Sequence, residues 1–295
     1  MTGGGPKVAF LGTSEFGAAA LGLLAERGNV DVVEVVTQPD RPAGRRRRLT
    51  PPPVAVLARE LGLPLREPER ASAQPPAVAA AAVVAFGQLL VPPLLGAYPL
   101  FNLHPSLLPR WRGAAPIERA LLAGDAETGV AVIELVQQLD AGPVHGLARF
   151  PIGPADDAGS LAGRAIELGV PLLEEALLGH THGVEQAAEG ITYAAKLTAA
   201  DRVLDWSQTA TELDRRVRAL APRIGARTQI DGRPVVIWRA VPLAAGPGPG
   251  EVAAPLVIGC GEGALAVEEL QPDGKRRMTA AEYLRGLRTP PARAG

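Results

Sequence analysis

The chain has 295 residues, room for one large domain or two of ordinary size. A hydrophobic content of 47% supports a packed core, and 4% aromatics with 34 Gly and 29 Pro predicts an aliphatic core and Pro-rich loops. The single cysteine, Cys260, excludes an internal disulfide and a thiolate-based metal site, and the net charge of −1 carries no whole-chain signature of nucleic-acid binding. Met1–Pro6 lacks the charged-then-apolar order of a secretory signal, and no apolar run reaches the length of a membrane span. The expectation is a soluble, cytoplasmic, monomeric protein without a membrane partner.

Lys7–Leu11 reads as a short buried strand, Gly12-Thr13-Ser14 as a turn, and Glu15–Arg27 as a helix with Gly28 as its stop. Val32–Val36 is the next strand, so the chain opens as an α/β sheet. The Gly12-Thr13-Ser14-Glu15-Phe16-Gly17 turn lacks the Gly-x-Gly-x-x-Gly spacing, which leaves a tight strand-to-helix turn and no dinucleotide cradle. Strands follow at Val83–Phe86 and Leu100–Leu103, then a helix over Ala114–Ala123 with Pro116 in its first turn. Val130–Val136 and Val144–Phe150 read as a strand pair, and Leu161–Leu178 as an amphipathic helix. The fold class is thus a Rossmann-like α/β domain over residues 1–187, followed by a connector over 188–204. After it come a helix, Ala210–Leu220, and short β runs at Ala226–Ile230, Val235–Ala240, Val257–Gly259 and Leu265–Leu270, split by Asp231-Gly232 and Asp273-Gly274. Ala244–Gly250 is a Pro/Gly loop. These features predict a small β-barrel over residues 205–295. From Leu204 onward 13 Lys/Arg face 10 Asp/Glu, a balance that on its own favours an ordinary solvated surface.

The chemistry concentrates at Phe101–Arg119. Asn102 and His104 are two apart in a strand and so point to one side. Asp140 follows in Gln138-Leu139-Asp140-Ala141-Gly142. An amide donor, an imidazole and a carboxylate are the parts that move an acyl group onto an amine: the amide meets a developing oxyanion, the imidazole handles a proton, the carboxylate orients it. Singly, Asn102 reads as a strand-end residue, His104 as a satisfied structural histidine and Asp140 as a turn former. His145, His180 and His182 read as surface or structural, and His180 with His182 lacks a third metal ligand.

Ser106-Leu107-Leu108-Pro109 followed by Arg112-Gly113, with Asn-x-His before and Leu-Asp-x-Gly after, resembles the folate-dependent formyltransferases. The order and spacing of all three motifs carry the likeness, which favours the catalytic reading of Asn102, His104 and Asp140. More closely, nearly the whole chain resembles the methionyl-tRNA formyltransferases. That resemblance implies 10-formyltetrahydrofolate as formyl-donor co-substrate, initiator methionyl-tRNA as partner, and no metal. It further implies an OB-like C-terminal domain and a folate pocket lined by Ser106, Leu107, Leu108, Pro109, Phe86 and Gly87. The Gly12–Phe16 segment then borders the site for the tRNA end.

Arg41 and Arg45, Arg46, Arg47 and Arg48 put five Arg within eight residues of a Pro/Gly loop. Such a run is usually a solvated face, but here it leaves a strand at the ligand-binding edge of an open sheet. The Gln38-Pro39-Asp40-Arg41-Pro42-x-Gly44 order resembles the loop that enters the tRNA acceptor stem in that family, and Tyr193-Ala194-Ala195-Lys196-Leu197 resembles its connector, which makes Lys196 either a candidate tRNA contact or a linker lysine in solvent. Departures from the pattern are Pro105, the Pro-interrupted Glu67–Ala79, Leu139–Pro143 and Ala221–Ala226. They bear on loop shape. The alternatives are a formyltransferase for a ribonucleotide or amino sugar, a hydrolase passing formyl to water, and a silent tRNA-binding protein.

Overall fold

The computed structural model describes residues 4–43, 48–71 and 76–295, which fall into two compact units. The first spans Met1–Gly113, Thr128–Phe150 and Ala162–Tyr193; the second takes Ala114–Glu127, Pro151–Leu161 and Ala194–Gly295.

In the first half of the chain β1 (Lys7–Gly12) leads to α1 (Glu15–Arg27), which starts at Ser14, whose hydroxyl accepts the Gly17 N–H, and ends at Gly28 with φ +68°. A Cβ on Gly17 would lie 2.7 Å from the Val84 carbonyl oxygen, and one on Gly12 would lie 2.6 Å from the Phe10 ring. Gly17 therefore serves the close approach of α1 to the Val84 carbonyl, and Gly12 leaves room for the Phe10 ring. There follow β2 (Asp31–Val36), β3 (Arg41–Ala43), β4 (Arg48–Thr50), α2 (Pro53–Glu60), β5 (Leu65–Arg66), β6 (Ala80–Val84), β7 (Leu100–His104) and β8 (Arg112–Gly113). Next are α3 (Pro116–Ala123), β9 (Glu127–Glu134), β10 (Val144–Pro151) and α4 (Ala158–Leu177). The main sheet runs β10-β9-β7-β6-β1-β2-β5. β5, β2, β1, β6 and β7 are parallel neighbours, and β9 joins β7 antiparallel. The chain winds to one side of β1 and then to the other, so the carboxyl ends of the parallel strands form the expected ligand edge. Phe10, Leu11, Leu100, Leu103 and Ile133 fill the sheet's interior. The predicted strand Val83–Phe86 instead occupies Ala80–Val84, because Ala85 turns to φ +47° and ends it. The sequence reading missed α2, which is only eight residues long and starts on Pro53.

The later elements are β11 (Tyr193–Ala194), α5 (Ala210–Leu220), β12 (Ala226–Ile230), β13 (Arg233–Leu243), β14 (Val252–Ala253), β15 (Val257–Gly259), β16 (Ala264–Pro272), β17 (Met278–Thr279) and α6 (Ala280–Arg285). β12-β13-β16-β15-β14 form an antiparallel sheet, with β17 beside β16. The chain end closes it. Asp231 N donates to Arg293 O on the β12 side, and Val252 N donates to Ala292 O on the β14 side. Both sheet edges are thereby covered, as the OB-like fold requires. α5 and α6 each start on a capping box, Thr209 with Glu212 and Thr279 with Glu282. The second box was a legible signal that the sequence reading passed over. α3 lies against α5 in this unit.

The connector is stapled by Asp201, whose carboxylate accepts from Thr198 N (2.7 Å), Thr198 Oγ1 (2.8 Å) and Arg119 Nη1 (2.9 Å). The Thr198 backbone N–H, foremost, holds its pKa down to about 2. An aspartate with a depressed folded pKa contributes stability above its unfolded value of about 3.9 and loses it as pH falls through the folded one. Asp201→Asn should cost about 1–2 kcal/mol at neutral pH. In urea titrations the gap from wild type should narrow steadily between about pH 4 and pH 2.

Candidate active site

β7 is buried on both faces except at Asn102, which is partly exposed. Asn102 pairs with Val83 of β6 and Ile133 of β9, and His104 sits opposite Ala131. The amide of Asn102 has no hydrogen-bond partner among the described residues. His104 is 4% exposed, and its Nε2 lies 2.9 Å from the Trp111 carbonyl oxygen. A carbonyl only accepts, so Nε2 carries a proton and Nδ1 is the ring's open position. Nδ1 faces Asp140 Oδ2 at 3.7 Å, too long for a hydrogen bond and short enough for strong attraction if the ring is charged.

The loop after His104 is built to bring Trp111 back. Ser106 is fully buried and donates its hydroxyl to Arg110 O at 2.7 Å. Leu108 packs against Ala131 and Ile133, and the Leu108–Pro109 peptide is cis. Leu107 presses on Gly129, where an added Cβ would meet Leu107 Cδ2 at 2.3 Å. Trp111 has φ +64°, and Trp111 N donates to Thr192 Oγ1. Of the sequence-derived pocket residues here, Ser106 spends its hydroxyl inside the loop, while Leu107 and Pro109 keep partly exposed surface.

Asp140 is buried with φ +46°, and its Oδ2 accepts the Gly113 N–H at 2.8 Å. Phe86 O, just past β6, accepts from Thr13 Oγ1 (2.7 Å) and Gln38 Nε2 (2.8 Å). Gly87, exposed and at φ +76°, follows it. Four non-glycine residues among those described have positive φ: Ala85, Trp111, Asp140 and Asp231. Asp231 makes a hairpin turn with Gly232; the other three adjoin the proposed site residues.

Arg41 and Arg48 are exposed on the β3–β4 hairpin, with Arg41 opposite Thr50 and Arg48 opposite Ala43. Arg45, Arg46 and Arg47 lie outside the described residues. Lys196 is exposed, in the second unit, and its carbonyl accepts from Arg119 Nη2. His145 is structural, bonded to Thr181 Oγ1 and edge-on to Phe101, whereas His180 and His182 are exposed. Among the described residues no group of three or more His, Cys, Asp or Glu is arranged to hold a metal ion, and no helix is long and apolar enough to cross a membrane. Sequence reasoning missed Trp111 O, Gly113 N and Gln186, which meets the Asp140 carbonyl. The first two are main-chain groups, silent in a sequence read for side chains.

The pattern described as "Formyl transferase" matches residues 6–177, and "Formyl transferase, C-terminal domain" matches 196–288. The chain belongs to the formyl transferase family. Among curated relatives, the methionyl-tRNA formyltransferase of Paracoccus denitrificans is 46% identical over 96% of this chain and 98% of its own. That of Dechloromonas aromatica is 44% identical over 95% of each. Among solved structures, HypX from Aquifex aeolicus in complex with tetrahydrofolic acid superposes with a TM-score of 0.67 at 19% identity, covering 97% of this chain. The chain spans about half the length of the HypX structures it matches. The N-formyltransferase from Helicobacter canadensis gives 0.66 at 16% identity, covering 89% of this chain and 99% of its own. These last two likenesses establish the fold.

Ser106→Ala in this formyl transferase should cost about 1–3 kcal/mol, because Arg110 O loses its buried donor. Denaturant unfolding checks it, and a change below about 0.3 kcal/mol would mean that the loop holds its shape without that bond.

Proposed function

We infer that this formyl transferase moves the formyl group of 10-formyltetrahydrofolate onto the α-amino group of initiator methionyl-tRNA, the modification that serves translation initiation. The observation that carries the chemistry is the unpartnered Asn102 amide on the same side of β7 as His104, whose open nitrogen faces Asp140. Curated relatives 43–46% identical over 95% or more of the chain support the substrate pair. They do not favour the ribonucleotide or amino-sugar alternative, and the solved sugar N-formyltransferases match in fold at low identity.

The neutral α-amino nitrogen attacks the formyl carbon, and the new C–N bond drives negative charge onto the formyl oxygen. Asn102 donates an amide N–H to that oxygen. His104, its Nε2–H committed to Trp111 O, acts through Nδ1, which when protonated is a second donor balanced by Asp140. Asp140 accepts the proton lost by the amine, directly or through water. The bond from the formyl carbon to N10 then breaks, N10 takes up a proton, and tetrahydrofolate leaves. Folate is held by Ser106–Pro109, with Ser106 shaping the loop and Leu107 and Pro109 offering surface, and by Phe86–Gly87. The Phe86 carbonyl is already met by two donors, so Gly87 presents the free main-chain edge there. Arg41, Arg45–Arg48 and Lys196 receive the tRNA. We assign catalysis to residues 1–187, which also carry the basic loop, and further tRNA binding to the OB-like domain at 205–295, joined by the Lys196-bearing connector at 188–204. The enzyme acts as a monomer in the cytoplasm, where both substrates are found.

Asn102→Ala should lower kcat by ~10²–10³ while folate still binds, the usual worth of one oxyanion donor. Wild-type turnover would end the assignment of Asn102. Competing acceptors in the same assay, methionyl-tRNA, free methionine and water, separate transferase from hydrolase.

Neutralising Arg45–Arg48 together should weaken methionyl-tRNA binding and flatten its salt dependence. The log–log slope should drop by up to ~0.9 for each duplex phosphate that is no longer neutralised. Folate affinity should stay unchanged. Binding that is insensitive to this substitution at every salt concentration would make the loop a solvated face.

A further inference from the structure

We propose that Gln186 is a positioning residue for the formyl transfer, setting the aim of the Asp140 carboxylate; the proposal rests on the catalytic reading of Asp140 above. Gln186 lies between the two matched segments, which end at residue 177 and resume at 196. Its Nε2 is 2.8 Å from Asp140 O and 2.9 Å from Gly142 O. Its Oε1 is 3.1 Å from Arg112 Nε and 2.7 Å from Arg112 Nη2. These partners decide the orientation of the amide. A flipped amide would oppose its oxygen to two carbonyls and its NH2 to a guanidinium, four unfavourable approaches in place of four hydrogen bonds.

The geometry points to a two-sided clamp. Asp140 sits in the left-handed region, unfavourable for a residue with a Cβ. Its side chain is held by Gly113 N and its main chain by Gln186, and Gln186 is held in turn by Arg112, the residue before Gly113. Arg112 is 4% exposed, and its guanidinium is met there by a neutral amide oxygen. Both halves of the clamp thus spring from the Arg112-Gly113 dipeptide of the signature motif, and Gln186 carries one half across the loop. Removing Gln186 frees the main chain at Asp140 to leave φ +46°, which swings the carboxylate away from His104 Nδ1. Gln186 never touches the reacting atoms; it acts through Asp140.

The test is a double-mutant cycle on turnover in the full-length enzyme. Gln186→Ala should lower kcat by about tenfold or more, with KM for both substrates within about twofold, since a small misplacement of a reacting group is costly. In an Asp140→Asn background the same substitution should lower kcat by less than about twofold, because the carboxylate it aims is gone. Gln186→Glu guards against a folding defect. It keeps a partner for Arg112, so the melting temperature should stay near wild type, while its second oxygen repels the Asp140 and Gly142 carbonyls and kcat should fall as in the alanine variant. An equal loss in both backgrounds, or no loss in wild type while Asp140→Asn is impaired, overturns the role of Gln186 alone. Unaltered turnover in Asp140→Asn itself overturns the catalytic reading of Asp140, and the clamp's function with it.

Discussion

A histidine buried at the end of a strand needs a partner for its ring N–H, and the shape of the loop that follows β7 depends on meeting that of His104. In a ring that is only 4% exposed, an unpaired Nε2 would cost about 1–3 kcal/mol. The Trp111 carbonyl supplies the partner. Bringing that carbonyl back seven residues along the chain requires the tight Pro105–Trp111 loop, with Ser106 inside it and Trp111 left-handed. One nitrogen is spent on structure, and the other is left for the proposed chemistry. The same bond fixes which nitrogen is which.

Strain is concentrated where chemistry is proposed. Ala85, Trp111 and Asp140 each take a conformation that an L-residue avoids, at a cost of order 1–3 kcal/mol each, and each is held by neighbours that are themselves well bonded. Ala85 ends β6 and turns the Phe86 carbonyl toward Thr13 and Gln38. Trp111 presents its carbonyl to His104. Asp140 presents its carboxylate to both Gly113 N and the His104 ring. A scaffold of parallel strands, with β1, β6 and β7 buried over most of their length, supplies the rigidity that these local departures need.

The second unit solves a different problem. A short antiparallel sheet exposes two rows of unpaired main-chain groups, and here the last residues of the chain cover both. Its helices α5 and α6 start on reciprocal caps, and its connector is stapled by Arg119 and Asp201. Of the positive charges proposed for RNA, Arg41 and Arg48 are exposed on β3 and β4 in the first unit, and Lys196 is exposed in the connector of the second. Arg is suited to that task because its planar fork keeps its charge and matches phosphate oxygens.

Much of this was legible in one dimension. Period-two and period-3.6 patterns depend only on neighbouring residues, so the strands read at Lys7–Leu11, Val32–Val36 and Leu100–Leu103 match β1, β2 and β7 to within a residue, the helices α1, α4 and α5 could also be read, and the proposed triad Asn102, His104, Asp140 stood out through its motifs. The eight-residue α2 and six-residue α6 are too short for periodicity, although Pro53 and the Thr279–Glu282 box marked them. What the tertiary structure alone decided is how the site is held: the tautomer of His104, the left-handed turn at Asp140, the inward hydroxyl of Ser106, and Gln186 reaching Asp140 from 46 residues away. Those depend on main-chain groups and on partners distant in the chain. A sequence names every side chain, but it does not say which carbonyl or N–H will be standing beside it.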